Sequence, residues 1–480
     1  MRYNGKRVGE NKSKLNLGRL KMKILLLSPP TISAIKTIVG TTGPPLGLAY
    51  LASMVRDEHD VRIVDSLAED YTYGDVKRII KKYDPDVVGI TSTTSMMPDA
   101  YIVAKMAKRY NKNVKIVMGG PHVTFVPEKT FQECPYIDFI VRGEGEITFK
   151  ELIDALEKNK DPSNILGLSI NMGDKVKNNP PRPLIKDVDT IPMPSYDLLP
   201  MEKYKVDGVR FGTVMTSRGC PFDCVFCSSS LQFGKRWRGH SDSRVIEELR
   251  ILHDEYKIQE IEFLDDTFTL NRPRAIRIAK RIREEDLDIS WSASSRVDIF
   301  TEEVAQAMKK AGCHTIYFGM ESGSQKTLDF IGKGITPEQS ISAVKKAKKH
   351  KLRALGSFVI GFPEETKEDI KKTIKLSKKV GVDFAQFTIA TPYPGTRLWK
   401  YALAKKLILT FNWRKYTTLD PVMKLKNFTA QQITKMFQKA YISFYLRPLY
   451  LIKDLISRKG FIFRRAIPRA IKMASSVIGR

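Results

Sequence analysis

The stretch CPFDCVFC at residues 220–227 decides how the rest of the sequence is interpreted. It places Cys220, Cys224 and Cys227 in C-x3-C-x2-C spacing, directly after an apolar segment typical of a β-strand. Three thiolates on one tight loop can bind three irons of a four-iron, four-sulfur cluster and leave the fourth iron open to another ligand. The loop therefore predicts a 4Fe-4S cluster.

A zinc site is the alternative for this loop. Zinc would need a fourth protein ligand, for which His240 and His253 are the nearest candidates. Zinc ribbons normally use two C-x2-C pairs, and the second pair is absent here. The remaining cysteines, Cys134 and Cys313, lie beside apolar segments and are interpreted as small buried residues. We therefore favour the iron–sulfur interpretation.

Around the cysteine loop, strand and helix patterns alternate from residue 206 to about residue 400. Six such units are too many for an open sheet of average size, so we predict a partial (β/α)6 barrel of the TIM type. The predicted strands cover residues 212–217, 260–266, 289–295, 315–321, 354–361 and 384–389.

The preceding part of the chain has its own strand–helix alternation. Five short apolar strands separated by amphipathic helices predict a doubly wound, Rossmann-like α/β domain, in which ligands bind beyond the carboxyl ends of the strands. The predicted organisation is a basic disordered tail (1–21), this α/β domain (22–160), a proline-rich linker (161–205), the barrel (206–400) and a basic helical C-terminal region (401–480).

Composition narrows the class of protein. The 480 residues are 42% hydrophobic and 28% charged, which is enough for packed cores. No apolar run approaches the roughly 18 residues of a membrane span, and the first 23 residues lack a signal-peptide core. Five cysteines, an odd number, indicate a reducing compartment rather than a disulfide framework. We expect a cytoplasmic protein, and MKILLLSPP from Met22 resembles a natural start of translation.

The formal net charge of +28 is concentrated at the two ends of the chain. Residues 1–23 and 441–480 together carry an excess of 15 positive charges, just over half of the total. A nucleic-acid enzyme would more often carry a basic face on its body, so nucleic acid is not the expected partner. The aromatic and arginine-rich C-terminus is compatible with peripheral contact to an anionic membrane and with a lipid-like substrate.

The cysteine loop resembles the signature of the radical S-adenosylmethionine (SAM) superfamily, in which an aromatic residue precedes the third cysteine. Phe226 stands at that position. The resemblance implies that the methionine amino and carboxylate groups of SAM chelate the open iron. It also implies reductive cleavage to a 5′-deoxyadenosyl radical that abstracts a substrate hydrogen, with a ferredoxin- or flavodoxin-type protein as the external one-electron reductant.

Later strand ends match the same superfamily residue by residue. The resemblance places Asp265 and Asp266, in FLDDTFT, where they would meet the methionine ammonium, and Arg296 where it would pair with the carboxylate. The other implied SAM-binding positions are Glu321 and Ser322 at the ribose and Gly361, whose backbone would pass close to adenine.

The N-terminal α/β domain resembles the cobalamin-binding domain often fused in front of that barrel. Its strand ends offer Gly, Ser and Thr to a flat ligand, and it lacks the D-x-H-x-x-G motif that supplies a histidine ligand in methionine-synthase-type domains. Within this domain, His122, in GGPH, is the histidine considered as an iron-group or cobalt ligand, its alternative role being a hydrogen bond within the loop. The other predicted cobalamin-binding residues are Ser92, Thr93, Gly119, Gly120, Gly143 and Glu144.

Residues 22–400 are most similar to the group that contains the anaerobic magnesium-protoporphyrin cyclase and the cobalamin-dependent radical methylases. The resemblance implies methylation, or another remodelling, of an unactivated carbon in a small-molecule or lipid-like substrate. A radical tRNA methylthiotransferase is one alternative, but it would need a second cluster, and residues 1–219 contain only Cys134. A cobalamin sensor or carrier is a non-enzymatic alternative, which would leave the cysteine loop without a role.

Overall fold

The computed structural model describes residues 21–31, 43–206, 208–448 and 450–452. The predicted N-terminal tail lies almost entirely outside these ranges. Most of residues 441–480, which carry the basic excess at the C-terminal end, also lie outside them. None of the helices in the described ranges combines the length and the apolar character needed to cross a membrane.

The first domain is built on a seven-stranded sheet with the order β2-β1-β3-β4-β5-β6-β7. Its first five strands are parallel, as predicted. β2 and β3 lie on opposite sides of β1, so the order of strand addition switches between β1 and β3, where ligands of such sheets bind. The strands are β1 (Lys23–Ser28), β2 (Asp60–Asp65), β3 (Val87–Thr91), β4 (Lys115–Gly119), β5 (Phe139–Val141), β6 (Leu168–Asn171) and β7 (Val176–Asn178).

Helices cover both faces of this sheet, which explains why its central strands are apolar throughout. In β1, Ile24 to Leu27 are all fully buried, as expected for a parallel strand packed on two sides. The helices are α1 (Leu46–Val55), α2 (Tyr73–Tyr83), α3 (Met97–Tyr110), α4 (Pro121–Phe125), α5 (Pro127–Glu133) and α6 (Glu146–Glu157).

The sheet continues beyond the boundary predicted at residue 160. Strands β6 and β7 add to it in antiparallel orientation and cover the edge of β5. The proline-rich segment begins only after β7, where three of the four residues 180–183 are proline. Two antiparallel strands joined by a short turn lack the strand–helix alternation on which the prediction depended.

The second domain contains the six predicted parallel strands in one open sheet of order β16-β15-β14-β13-β12-β9-β8. Strands β9 and β16 lie at opposite ends of this array, so the sheet forms a half-barrel. Its strands are β8 (Lys205–Val206, antiparallel), β9 (Val209–Val214), β12 (Glu260–Phe263), β13 (Ser290–Ser295), β14 (Cys313–Glu321), β15 (Arg353–Ile360) and β16 (Phe384–Ile389).

A two-residue ladder of β10 (Ser217–Arg218) and β11 (Arg238–Gly239) projects from the end of β9. The helices of this half of the chain are α7 (Ser229–Gln232), α8 (Asp242–Asp254), α9 (Arg272–Glu284), α10 (Glu302–Lys310), α11 (Gln325–Ile331), α12 (Pro337–Lys349), α13 (Lys367–Lys379), α14 (Arg397–Ala404) and α15 (Ala430–Tyr445).

Helix α15 closes the open edge of the half-barrel. An edge strand presents unpaired backbone groups, which must find partners if they are buried. The hydroxyl of Tyr441 accepts from the backbone N–H of Phe387 (3.1 Å) and donates to its carbonyl (3.0 Å). One turn later, the hydroxyl of Tyr445 makes the same pair of bonds to Ala385 (3.2 and 2.9 Å). Two tyrosines thus replace the missing neighbouring strand.

We predict that Tyr441→Phe destabilises the chain by about 1–3 kcal/mol, because it leaves a buried N–H and carbonyl of Phe387 without partners. Chemical unfolding monitored by circular dichroism measures the loss. Tyr110→Phe is the control, since that hydroxyl bonds the carbonyl of Lys81 at the exposed surface (3.2 Å) and should matter little. Equal losses in the two variants would contradict the edge-closing role.

Candidate functional site

The cysteine loop begins where β9 ends, at the carboxyl edge of the half-barrel. The β10–β11 ladder closes the loop at its base, and the N–H of Cys220 donates to the carbonyl of Gly234 (3.1 Å). Gly219 has a φ of +90°, and a Cβ there would lie 2.3 Å from the carbonyl oxygen of Arg236. Only glycine therefore fits at the entry to the loop.

The tip of the loop is fixed to the opposite side of the half-barrel. Val225 donates its N–H to the carbonyl of Ile331 and accepts from the N–H of Leu398, both at 2.8 Å. The ring of Phe226 packs against Phe362, with 6.0 Å between centroids. The loop consequently spans the top of the sheet from β9 to the region that follows β14 and β16.

A cavity of about 690 Å³ lies beneath this loop, inside the half-barrel. All three cysteines of the loop line it, and burial raises the pKa of Cys220 and Cys224. The predicted SAM-site residues that line the same cavity are Phe226, Asp266, Arg296 and Glu321.

The donor set fits an iron–sulfur cluster. Within the described ranges, no three His, Cys, Asp or Glu side chains are grouped as they would be around a single metal ion. A cluster binds each cysteine to a different iron, so its three cysteines need to surround a shared space rather than meet at one point. Cys220, Cys224 and Cys227 line one space in that manner. His240 donates from Nδ1 to the carboxylate of Asp189 instead, at 2.9 Å.

The two aspartates of FLDDTFT point to different surroundings. Asp265 is buried, and its carboxylate accepts hydrogen bonds of 2.6 Å from the N–H and hydroxyl of Thr216 and from the hydroxyl of Ser217. It therefore fixes the end of β9 and does not line the cavity. Asp266 does line the cavity, and burial raises the pKa of its carboxyl group.

Two ion pairs line the cavity near the cysteines. Arg296 makes a two-pronged bond to the carboxylate of Asp298 (3.0 and 2.9 Å), and its guanidinium lies 3.5 Å from the centre of the Phe222 ring. Glu321 accepts from the ammonium of Lys333 at 2.8 Å. Burial acts to lower the pKa of Lys333, but the carboxylate of Glu321 outweighs it and the pKa is raised. Sequence reasoning missed Lys333.

Ser322 and Gly361, the other predicted SAM-binding positions, do not line the cavity. The hydroxyl of Ser322 is fully buried against that of Thr373 (2.9 Å). Gly361 has a φ of +84°, and a Cβ there would lie 3.1 Å from Ile433 of α15. Gly361 therefore lies beneath the C-terminal helix, whereas Ser322 packs against α13.

In the first domain, the strand ends bring the predicted glycines together at the carboxyl edge of the sheet. Gly120 has a φ of +112°, and a Cβ there would lie 2.6 Å from the carbonyl of Ser92. At Gly119 the nearest atom to a Cβ would be 3.8 Å away, and at Gly143 nothing lies within 4 Å. Thr93, which follows the neighbouring strand β3, is exposed. This edge leaves backbone accessible to a flat ligand.

His122 lies inside the protein, only 1% exposed. Its Nδ1 is 3.2 Å from the hydroxyl of Thr94, and its ring packs edge-on against Trp413 at 4.6 Å between centroids. Burial lowers its pKa to about 4. The contact of Nδ1 with Thr94 matches the hydrogen-bonding role considered for His122.

Glu144 belongs to a buried ion network rather than to an open cleft. Its carboxylate accepts from Arg238 (2.9 and 2.8 Å), from Arg218 (3.2 Å) and from the N–H of Ile185 (2.9 Å). Arg218 also donates to Glu146 (2.6 Å). Burial acts to lower the pKa of Arg218, but the two carboxylates outweigh it and the pKa is raised. The network joins the end of β5 to the base of the cysteine loop.

A second connection between the domains is made by the segment 405–425, which we call the strap. Arg414 forms a two-pronged ion pair with the buried carboxylate of Asp99 on α3 (2.9 and 2.6 Å). Trp413 donates to Glu133 (2.7 Å). The strap also contributes Thr418 to the cavity wall, so it links the first domain to the site.

The fold and the site together define a cobalamin-binding type of α/β domain followed by a radical SAM half-barrel. Residues 32–153 match the B12 binding domain family, and residues 214–377 match the Radical SAM superfamily. Both domain classes and their order were predicted from the sequence, and the matches confirm them.

Relatives share this organisation along nearly the whole chain. An uncharacterized methyltransferase of Pyrococcus horikoshii is 71% identical over 93% of this chain and 97% of its own length. The anaerobic magnesium-protoporphyrin IX monomethyl ester cyclase of Rubrivivax gelatinosus is 29% identical over 90% of this chain and 78% of its own length. The chain belongs to the family of cobalamin-binding radical SAM enzymes.

Solved structures support the fold. The cobalamin-dependent SAM radical enzyme OxsB superposes with a TM-score of 0.75 at 19% identity, over 95% of this chain and 72% of that chain. The radical SAM methyltransferase TsrM of Kitasatospora setae gives a TM-score of 0.67 at 18% identity, over 80% of this chain and 75% of that chain. At these identities the likeness concerns the fold alone.

We predict that Arg218→Met lowers the free energy of unfolding by about 3–5 kcal/mol, because it leaves buried carboxylates without their cation. Calorimetry measures the change. Adding Glu146→Leu to Arg218→Met should restore part of the loss, since the uncompensated charge is then removed. Arg78→Met removes a surface ion pair to Asp75 and serves as control. A loss no larger than that control would contradict the role of the network.

Proposed function

We propose that this chain is a cobalamin-dependent radical SAM methyltransferase that methylates an unactivated carbon of a small-molecule substrate. One observation carries the proposal: a single cavity is lined by the three loop cysteines and by the acidic and basic residues of successive strand ends. The cavity lies next to a domain of the B12 binding family, and the relative of P. horikoshii, similar over almost its whole length, is named a methyltransferase.

In this proposal Cys220, Cys224 and Cys227 hold three irons of the cluster. When bound, the cluster with SAM supplies a radical able to remove hydrogen from an unactivated carbon, and cobalamin supplies a methyl group. The chain's own contribution is to fix the cysteine loop. The hydrogen bonds of Val225 and the close packing of Gly219 against the carbonyl of Arg236 hold the loop over the cavity. The three cysteines are therefore positioned before the cluster binds.

The charged strand-end residues would bind and orient SAM. Asp266 carries the carboxylate suited to an ammonium group, as the sequence predicted. For the carboxylate of SAM, Lys333 joins Arg296 as a candidate, because both cations line the cavity near the cysteines. Each cation is already held by a carboxylate of the chain, Glu321 or Asp298. These ion pairs keep the cations in place, and an anionic ligand would share them.

Cobalamin would lie along the carboxyl edge of the first sheet, against Thr93, Gly119 and Gly143. Small residues there permit close approach of a flat ring. Burial of His122 under Trp413 favours binding without a histidine ligand to cobalt.

Two other activities remain as alternatives. Ring formation or oxidation is the alternative that the similarity to the Rubrivivax gelatinosus cyclase favours. A tRNA methylthiotransferase is disfavoured because Cys134 is buried and no other cysteine precedes residue 220. The ferredoxin- or flavodoxin-type reductant, cytoplasmic localisation and membrane contact stay predictions, the last because residues 453–480 lie outside the described part of the chain.

Anaerobic reconstitution tests the cluster. The wild type should bind roughly four irons per chain, and Cys224→Ala should lose the cluster absorbance and turnover together, because one iron has no ligand. Cys134→Ala is the matched control, since Cys134 is buried outside the loop, and should retain its iron. Zinc in place of iron, or wild-type iron content in Cys224→Ala, would refute the assignment.

Cobalt content tests the cobalamin edge. Gly119 does not have a positive φ, so the backbone can accept valine. The two methyl groups of Gly119→Val would occupy the sheet edge and should reduce the cobalamin that stays bound after gel filtration several-fold. Gly47→Val, on the exposed surface of α1 with open space around it, controls for the added bulk. Unchanged cobalt in Gly119→Val would place cobalamin elsewhere.

A further inference from the structure

The deeper part of the cavity is not used by the proposed cofactor residues. In parallel strands, residues earlier in the chain lie farther from the carboxyl edge. Tyr317 precedes Glu321 by four residues on β14, and the register shift between Gly319 and Glu321 takes up one of them, which puts Tyr317 roughly 10 Å deeper at about 3.3 Å per residue. Glu262 lies on β12, and Asp266 follows in the loop after the last residue of that strand, Phe263. Both side chains line the cavity and form what we call the floor.

Charge is unevenly distributed between the two ends of the cavity. Near the cysteines, Arg296 and Lys333 are each paired with a carboxylate. At the floor, Glu262 has neither an ion pair nor a hydrogen bond to any residue of the described ranges, and no cation lines the cavity beside it. The nearby carboxylate Glu260 is occupied by His314 at 2.6 Å. The floor therefore presents one negative group that no residue in the described part of the chain neutralises.

The pKa of Glu262 is raised by its surroundings. Burial raises the pKa of its carboxyl group, and the neighbouring carboxylate of Glu260 raises it further. A partly buried carboxylate without a partner costs free energy, and a bound cation would recover that energy. Tyr317 keeps its proton, because burial raises its pKa to about 12. Its hydroxyl lies 3.3 Å from that of Ser292 and offers a second polar contact at the same level.

We propose that Glu262 and Tyr317 form a substrate-binding pole for a protonated amine, which directs the rest of the substrate toward the cysteine loop. The inference rests on the proposed function and adds the chemical class of the substrate. Held at the floor by its nitrogen, a small molecule would extend through about 10 Å of cavity and present a carbon several bonds from the amine to the reactive end. Glu262 and Tyr317 thus determine which substrate binds, and they take no part in the reaction itself.

Binding of three probes of equal shape tests the pole: cyclohexylamine, cyclohexanol and cyclohexanecarboxylate. The chain is reconstituted with iron and sulfide, and affinities are measured by ligand-observed NMR. We expect the amine to bind about tenfold more tightly than the alcohol, as a single ion pair would provide. Glu262→Gln should abolish this preference, and Glu262→Asp should keep part of it.

Two further variants locate the effect. Glu247→Gln makes the same charge change on the exposed face of α8 and should leave the preference intact. Asp266→Asn should also retain it, because Asp266 lies at the cysteine end. If the preference is absent from the wild type, survives Glu262→Gln, or disappears with Asp266→Asn instead, the pole is refuted. The iron and cobalt contents test the proposed function independently, so failure of one proposal is distinguishable from failure of the other.

Discussion

The buried ion network of Glu144, Glu146, Arg218 and Arg238 is the interaction on which the geometry of this protein depends. Its acids stand at the end of β5 and the start of α6, and its bases flank the cysteine loop on β10 and β11. Taking four charges out of water is expensive, and removing one partner leaves the others uncompensated. Such a network contributes less to net stability than to fixing one arrangement. It sets the cobalamin-type strand ends and the cysteine loop in a single relative position.

The open edge of the half-barrel exposes backbone groups of β16 that need hydrogen-bond partners. Along β16, the backbone groups of alternate residues face away from β15, and each finds a partner outside the sheet. Ala385 and Phe387 bond the tyrosines of α15, and the N–H of Ile389 donates to the carbonyl of Thr418 in the strap (2.7 Å). The strap then continues to the first domain through Trp413. Helix α15 and the strap together cover the edge of β16, and the strap also attaches the half-barrel to the first domain. Both elements help to enclose the cavity.

The two sheets could be predicted because parallel strands buried on both faces produce short apolar runs separated by amphipathic helices. The cysteines could be predicted because their spacing is local. Glu144 was predicted to contact the cofactor, and its bonds to arginines were not foreseen, since a strand-end glutamate has the same sequence pattern whether it meets a ligand or an arginine 74 residues away. Lys333 was missed because it follows a helix instead of a strand. His122 and Trp413 are distant in sequence, so no pattern predicts their contact.

The distribution of charge in the cavity follows from the same alternation that builds the sheet. Inward side chains of a regular strand occur at every second residue, so one strand can contribute a residue near the cysteines and another deeper within the half-barrel. The residues at these two levels are separated by an intervening layer. On β14, Gly319 provides that layer between Glu321 and Tyr317, and a Cβ there would lie 2.5 Å from the Glu321 carboxylate. The glycine thus keeps the ion pair of Glu321 and Lys333 in place while leaving the path from floor to loop open.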